Sequence, residues 1–160
     1  MINTAEIMTT AVVSVTPDTP IVEAVRLMLD NRISGLPVIA GSTLVGIVTE
    51  GDLLRRTESG TSSRHAGVLD FLLSPIPFAQ EYARLHPLCV GEVMTKDVVS
   101  VNSDTPLEQV VNLMEHHGIK RVPVLEKGQM VGIVSRANLV GALANALRVS
   151  AVADRIAKGR

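Results

Sequence analysis

The chain has 160 residues, 46% of them hydrophobic, with a formal net charge of −1, enough apolar material for one sizeable core or two small ones joined face to face. It carries no block of five like charges and no run approaching the roughly eighteen apolar residues of a membrane-spanning helix, so nucleic acid and membrane are not expected partners. The lone Cys89 cannot close an internal disulfide, and the amino terminus lacks the charged-then-apolar pattern of a secretory signal, so a reducing cytoplasm is the expected setting.

From the amino end, the β-branched run Val12-Val13-Ser14-Val15 reads as a short strand entering Asp18-Thr19-Pro20. Thr19 is placed to cap a helix whose first residue is Pro20, where the missing N–H would have no helical partner anyway. Ile21, Ala24, Val25 and Met28 then follow the i, i+3, i+4, i+7 rule of one buried helical face. Residues 36–39 and 44–48 are β-rich runs around Ala40-Gly41-Ser42-Thr43 and predict a hairpin. A second helix is expected to begin near Glu50.

The next segment opens with Gly60-Thr61-Ser62-Ser63 and turns apolar through Val68, Leu69, Phe71, Leu72 and Leu73. Ser74-Pro75 and Pro77 break it, and residues 78–85 resume as a short helix. All three aromatic residues, Phe71, Phe78 and Tyr82, fall within residues 68–85. That is too apolar for a bare linker; core cover, a contact with a second subunit and a partner-docking surface all remain open.

Beyond the insert the first pattern returns. With a shift of 86 residues, residues 5–54 align with 91–140 without a gap and are identical at 21 of 50 positions, where ordinary residue frequencies would give roughly three to five. The chain is a duplication. Val98-Val99-Ser100-Val101 repeats the strand and Asp104-Thr105-Pro106 the helix entry, to which Glu108 adds a capping-box residue. Leu107, Val110, Val111 and Met114 repeat the buried face, and residues 122–125 and 130–134 repeat the hairpin around Lys127-Gly128. A final helix is expected from near Arg136, continuing through residues 137–157 as one long helix or two shorter ones. Each half thus reads strand, helix, strand, strand, helix in about fifty residues, a marginal core by itself. The halves are therefore expected to bury their sheets together, making one α+β module from two α/β-type repeats. The expected boundaries are 1–58 for the first repeat, 59–88 for a helical insert, 89–148 for the second repeat and 149–160 for a helical tail.

His116-His117 does not predict a metal site, because neighbours on a helix point about 100° apart and no second pair of ligands is spaced to join them. Cys89 with His86 has neither an orienting acid nor an oxyanion device. No catalytic residues are expected.

The order of elements, together with Met8-Thr9, Asp18-Thr19-Pro20, Ile33-Ser34-Gly35-Leu36-Pro37-Val38 and Gly46-Ile47-Val48-Thr49-Glu50-Gly51-Asp52, resembles the CBS domain, named for cystathionine β-synthase. Ile119-Lys120-Arg121-Val122-Pro123-Val124 and Gly132-Ile133-Val134-Ser135-Arg136-Ala137-Asn138 repeat the pattern. The resemblance implies a tandem pair, or Bateman module: a non-catalytic regulator that binds an adenine nucleotide between the repeats and signals through a change of conformation or assembly. AMP ranks first, then ADP and ATP, with S-adenosylmethionine and NADH behind; no cofactor is required. It further implies a homodimer and a separate effector protein. An adaptor for dimerisation or docking, with an empty cleft, is the alternative.

By the same resemblance, Asp52 accepts hydrogen bonds from the ribose hydroxyls and Thr49 offers its hydroxyl to ribose or phosphate. Thr10, Ala11, Val12 and Val13 run beside the adenine, and Ile33 and Pro37 form apolar walls. In the second copy these roles fall to Ser135, Asn138, the run 96–99 with Lys96, Val98 and Val99, and Ile119 and Pro123. Lys120, Arg121 and Arg136 face phosphate, where the first copy has only Ser34 and Gly35 at the first two positions. Asn138 departs from the family's carboxylate, so the two sites are expected to differ.

Overall fold

The computed structural model describes residues 2–54 and 88–158, with only the backbone described for 54 and 149–158. The aromatic insert 68–85 and its expected roles lie outside the described residues. Of the described residues, those of Met1–Val12 and Val99–Arg160 gather into one compact unit and those of Val13–Val98 into another. The units are therefore not the two repeats as read along the chain. Each holds one repeat's helix and hairpin together with the lead segment of the other repeat.

In the first unit, α1 (Ile21–Asp30) is followed by a hairpin of β1 (Gly35–Ala40) and β2 (Thr43–Thr49), then α2 (Glu50–Leu54), and the lead helix α3 (Val90–Val93) closes the set. The second unit opens with a 3-10 turn (Thr4–Glu6) and continues through β3 (Val101–Asn102), α4 (Leu107–His116), β4 (Arg121–Glu126), β5 (Gln129–Ser135) and α5 (Arg136–Lys158). The tail is thus one continuous helix, and among the described residues no helix is long and apolar enough to cross a membrane. The predicted opening strands are minimal. Val101 and Asn102 pair in parallel with Val124 and Leu125, while Val15 makes a single parallel bridge to Val38.

The helical faces emerge as the spacing predicts. Ile21, Ala24 and Met28 are buried in the first core with Leu36, Val38, Val48, Leu53 and Val90. Val110 and Met114 are buried in the second with Val101, Val122, Val124 and Val134. The second hairpin turns tightly through Lys127 (φ 51) and Gly128 (φ 81), the pair of left-handed residues that matches the natural twist of two strands.

The predicted helix caps are not what forms. Pro20 and Pro106 are themselves the N-caps, one residue earlier in role than expected, and neither helix has a side-chain cap. The Thr19 hydroxyl instead accepts from the Thr16 N–H (3.0 Å), and that of Thr105 from the Asn102 N–H (3.1 Å). The first helical amides are taken by the lead segments. Ile21 N–H donates to the Leu88 carbonyl (2.9 Å) and Leu107 N–H to the Ile2 carbonyl (3.1 Å). Backbone carbonyls just ahead of the lead elements do the capping, so the threonines are released to close the preceding turns.

Each lead ends on the outer edge of a hairpin. Thr95 exchanges both backbone hydrogen bonds with Ile47 (2.9 Å each), and Thr9 does so with Ile133 (2.9 and 3.0 Å). Pro37 and Pro123 lie opposite these same residues, Ile47 and Ile133. Because Ile47 and Ile133 turn their amides away from the hairpin partner, a residue without an N–H is accommodated at the pair. Beside the bridge, Gly46 and Gly132 leave no room for a side chain. A Cβ on Gly46 would fall 2.5 Å from Met94 Sδ and 3.0 Å from the Thr95 carbonyl, and one on Gly132 would fall 2.6 Å from Met8 Sδ and 3.0 Å from the Thr9 carbonyl. Met-Thr in the lead and glycine in the strand are thus two halves of one contact. Gly46→Ala should destabilise the first unit by about 1–3 kcal/mol by overpacking. In urea titration, an unchanged midpoint for Gly46→Ala would show that Thr95 does not lie flat on β2.

Candidate functional site

The junction between the second hairpin strand and the following helix carries the same constellation in both units. In the first, Asp52 Oδ2 accepts from the Thr49 N–H (2.8 Å) and the Thr49 hydroxyl (2.9 Å). The Asp52 N–H returns a bond to Thr49 Oγ1 (3.3 Å). This is a reciprocal cap in which the side chains three residues apart satisfy each other's backbone. The second carboxylate oxygen, Oδ1, accepts from the hydroxyl of Thr95 (3.2 Å), delivered by the lead of the second repeat. Asp52 is half-buried while Thr95 is exposed, so the carboxylate sits at the surface with its geometry fixed on three sides.

In the second unit Asn138 stands where Asp52 does. Its Oδ1 accepts from the Ser135 N–H (2.8 Å) and hydroxyl (2.7 Å), and its N–H donates to Ser135 Oγ (3.4 Å). Its Nδ2 donates to the hydroxyl of Thr9 (3.3 Å). Asparagine reproduces the cap, but at the outward position it offers a donor where aspartate offers an acceptor.

The remaining predicted residues sort by unit in a way the linear reading did not give. Thr10, Ala11 and Val12 belong to the unit of Ser135 and Asn138, and Lys96 and Val98 to that of Thr49 and Asp52. The expected grouping, Thr10–Val12 with Asp52 and Lys96–Val98 with Asn138, is thereby exchanged, because the leads themselves are exchanged. Both leads make the same tight turn, with Val12 N–H donating to the Thr10 carbonyl and Val98 N–H to the Lys96 carbonyl, each at 3.0 Å. Val13 packs half-buried against the first core, and Val99 lies in the second unit.

Pro37 and Pro123 correct the expectation of apolar walls. Both are fully buried mid-strand, so their rings are core and present no surface to a ligand. Ile33 and Ile119, half-buried at the strand entries, retain accessible apolar surface. Thr9 and Thr95 were not singled out as site residues. The signal for them was the identical Met-Thr at positions 8–9 and 94–95, whose partners only the fold reveals.

The charges around the two junctions differ. The Arg136 N–H donates to the Lys120 carbonyl (3.1 Å), and Arg121 lies opposite Ser135 in register. Three cationic residues therefore neighbour Ser135 along the backbone. At the matching places of the first unit, the Glu50 N–H donates to the Ser34 carbonyl (3.0 Å) and Gly35 lies opposite Thr49. That junction has no cation at these positions and two acids, Glu50 and Asp52. Among the described residues no group of three or more His, Cys, Asp or Glu is gathered as a metal ion would need. His116 and His117 are exposed, their rings edge to face at 5.0 Å.

Comparison with known proteins agrees with this two-fold plan. The family model described as the CBS domain matches residues 5–59 and again 90–145. The CBS domain-containing protein YhcV of Bacillus subtilis is 31% identical over 140 residues, covering 87% of this chain and 84% of that one. The chloroplastic protein CBSX2 of Arabidopsis thaliana is 32% identical over 135 residues, spanning 80% of this chain and 57% of its own length. The crystal structure of CBSX2 in complex with AMP superposes with a TM-score of 0.69 at 28% identity, covering 91% of this chain and 98% of that one. The CBS domain pair of protein MJ0100, solved with 5′-methylthioadenosine and S-adenosyl-L-methionine, has a TM-score of 0.66 at 20% identity, with 91% and 98% covered, and shows the shared fold.

Proposed function

The chain belongs to the CBS domain family, and from that premise we propose that it is a non-catalytic regulatory module binding an adenine nucleotide, AMP foremost, through the ribose. The observation that carries this reading is the half-buried Asp52 carboxylate, held on one oxygen by Thr49 and on the other by Thr95. A vicinal diol presents two donors to such a group, and bonds to an ionised acceptor are roughly twice as strong as neutral ones. The complex of CBSX2 with AMP supports the choice of ligand. Ile33 supplies apolar surface for the base, and the turn at residues 96–98 offers backbone groups to its edge.

The module signals by having different affinity for its ligand in two arrangements of the chain or its assembly, since only a differential affinity can shift an equilibrium. The proposed setting is a homodimer in the cytoplasm, read by a separate effector protein. Calorimetric titration of the full chain with AMP, ADP, ATP, S-adenosylmethionine and NADH tests the reading. Saturable heat with AMP is the expected result. No heat with any of the five would overturn it and leave the adaptor reading, in which the junctions serve only as helix caps.

A further inference from the structure

We propose that α5 is an interface with a second copy of this chain, the two helices packing antiparallel along the face of Val140, Leu143 and Leu147. The inference gives the homodimer of the preceding section a surface and rests on that part of the reading alone, whichever ligand the junctions hold.

Its foundation is a helix with two apolar faces. On one side Leu139 packs against the second core and Ala142 is half-buried, so these positions mark the face turned inward. About 100° round the helix, by 3.6 residues per turn, Val140, Leu143 and Leu147 lie in one stripe at i, i+3 and i+7, and they are 66%, 60% and 62% exposed. Single exposed apolar residues need no explanation, but three at this spacing make a continuous strip. Ala144 and Ala146, exposed on its two flanks, leave room for another backbone to come close. The residues matched by the CBS family model end at 145, while the helix continues to Lys158. The stripe from Leu147 onward therefore belongs to this chain and not to the family pattern.

The choice of a second copy comes from the sequence of the stripe itself. The alternating steps of three and four that join 140, 143 and 147 extend back to Arg136 and on to Ser150 and Asp154, the repeat of two helices packed along each other. Turned antiparallel about position 145, the series matches itself. Leu143 meets Leu147 of the second copy, position 140 meets 150, and position 136 meets 154. Asp154 is the only acidic residue in the helix, and this register sets it opposite an arginine at both ends of the seam. A parallel pair would set Arg136 against Arg136 and Asp154 against Asp154. Charge thus selects the orientation, while the apolar residues supply the attraction. The seam is short beside a standard interface, so the association is reversible and grows with concentration.

Sedimentation equilibrium of the full chain over a range of concentrations tests this, and a monomer–dimer equilibrium is the expected result. Leu143→Glu combined with Leu147→Glu should weaken it at least about 100-fold by placing carboxylates in an apolar seam. Both positions are exposed and glutamate is a good helix former, so the fold is kept. Asp154→Arg should weaken dimerisation about tenfold by setting like charges opposite each other. Adding Arg136→Asp to that variant should restore the wild-type constant, because the pair is then reversed.

A dimer indifferent to the leucine substitutions would overturn the proposal and leave the homodimer standing on another surface. Loss of the dimer with those substitutions, but no rescue by the charge exchange, would overturn the antiparallel register. A monomer at every concentration would overturn the proposal and the homodimer together. The ribose reading of Asp52 stands or falls separately, by the calorimetry of the preceding section.

Discussion

Asp52→Asn should lower affinity for AMP on the order of 100-fold while leaving the melting temperature of the unliganded protein almost unchanged. The second unit shows why stability survives. Asn138 makes the same bonds to Ser135 that Asp52 makes to Thr49, with lengths within about 0.2 Å, so asparagine at 52 keeps the cap and the start of α2. Binding does not survive, because the outward atom becomes a donor and the charge is lost. Each hydrogen bond to an ionised group contributes about 1.5–3 kcal/mol. Loss of two such bonds from a ribose diol is therefore about 3 kcal/mol or more, and 1.4 kcal/mol is a factor of ten. Asp52→Ala would confound the two effects, since removing a cap costs about 1 kcal/mol in itself. Calorimetry of Asp52→Asn beside the wild type, with a thermal melt of each, separates them. Undiminished AMP affinity would remove Asp52 from the site.

Leu36→Ala should be among the most damaging single changes, at about 2–5 kcal/mol. Leu36 has no accessible surface and stands in the first core between the α1 face and β2. Truncation there removes three carbons where rigid β-branched neighbours, Val38 and Val48, cannot collapse to fill the space. The corresponding residue of the other core is Val122, equally buried, so Leu36→Val tests shape against volume and should cost only about 1 kcal/mol. Hydrogen exchange would localise the loss. Amides of β1 and β2 should lose protection first in Leu36→Ala, and with them the register that holds Thr49 opposite Gly35. A melt within a degree of wild type would mean that the α1 contact is not a core contact.

Much of this was legible in the chain itself, for reasons that are local. The face of α1 at Ile21, Ala24 and Met28 and that of α4 at Val110 and Met114 follow from helical period alone. Both hairpins follow from β-branched runs around glycine turns. The pairing of Thr49 with Asp52, and of Ser135 with Asn138, spans three residues at a helix start, a distance over which sequence determines geometry. What misled were residues whose partners are remote. Thr19 and Thr105 have the local signature of caps, yet the lead segments outcompete them with backbone carbonyls of Leu88 and Ile2. Pro37 and Pro123 sit in motifs associated with a ligand, yet mid-strand burial claims them for the core.

Duplication, α+β class, family, helix faces and the asymmetry between Asp52 and Asn138 were determined by the sequence by itself. Each depends on residue identity or on spacings shorter than a helical turn or two. Only the tertiary structure decided that each repeat lends its lead to the other, which sets Thr95 on Asp52 and Thr9 on Asn138 across 43 and 129 residues. No periodicity encodes that exchange. Two near-identical Met-Thr segments face two near-identical glycine-bearing strands, so local chemistry permits either pairing, and chain connectivity and packing select between them.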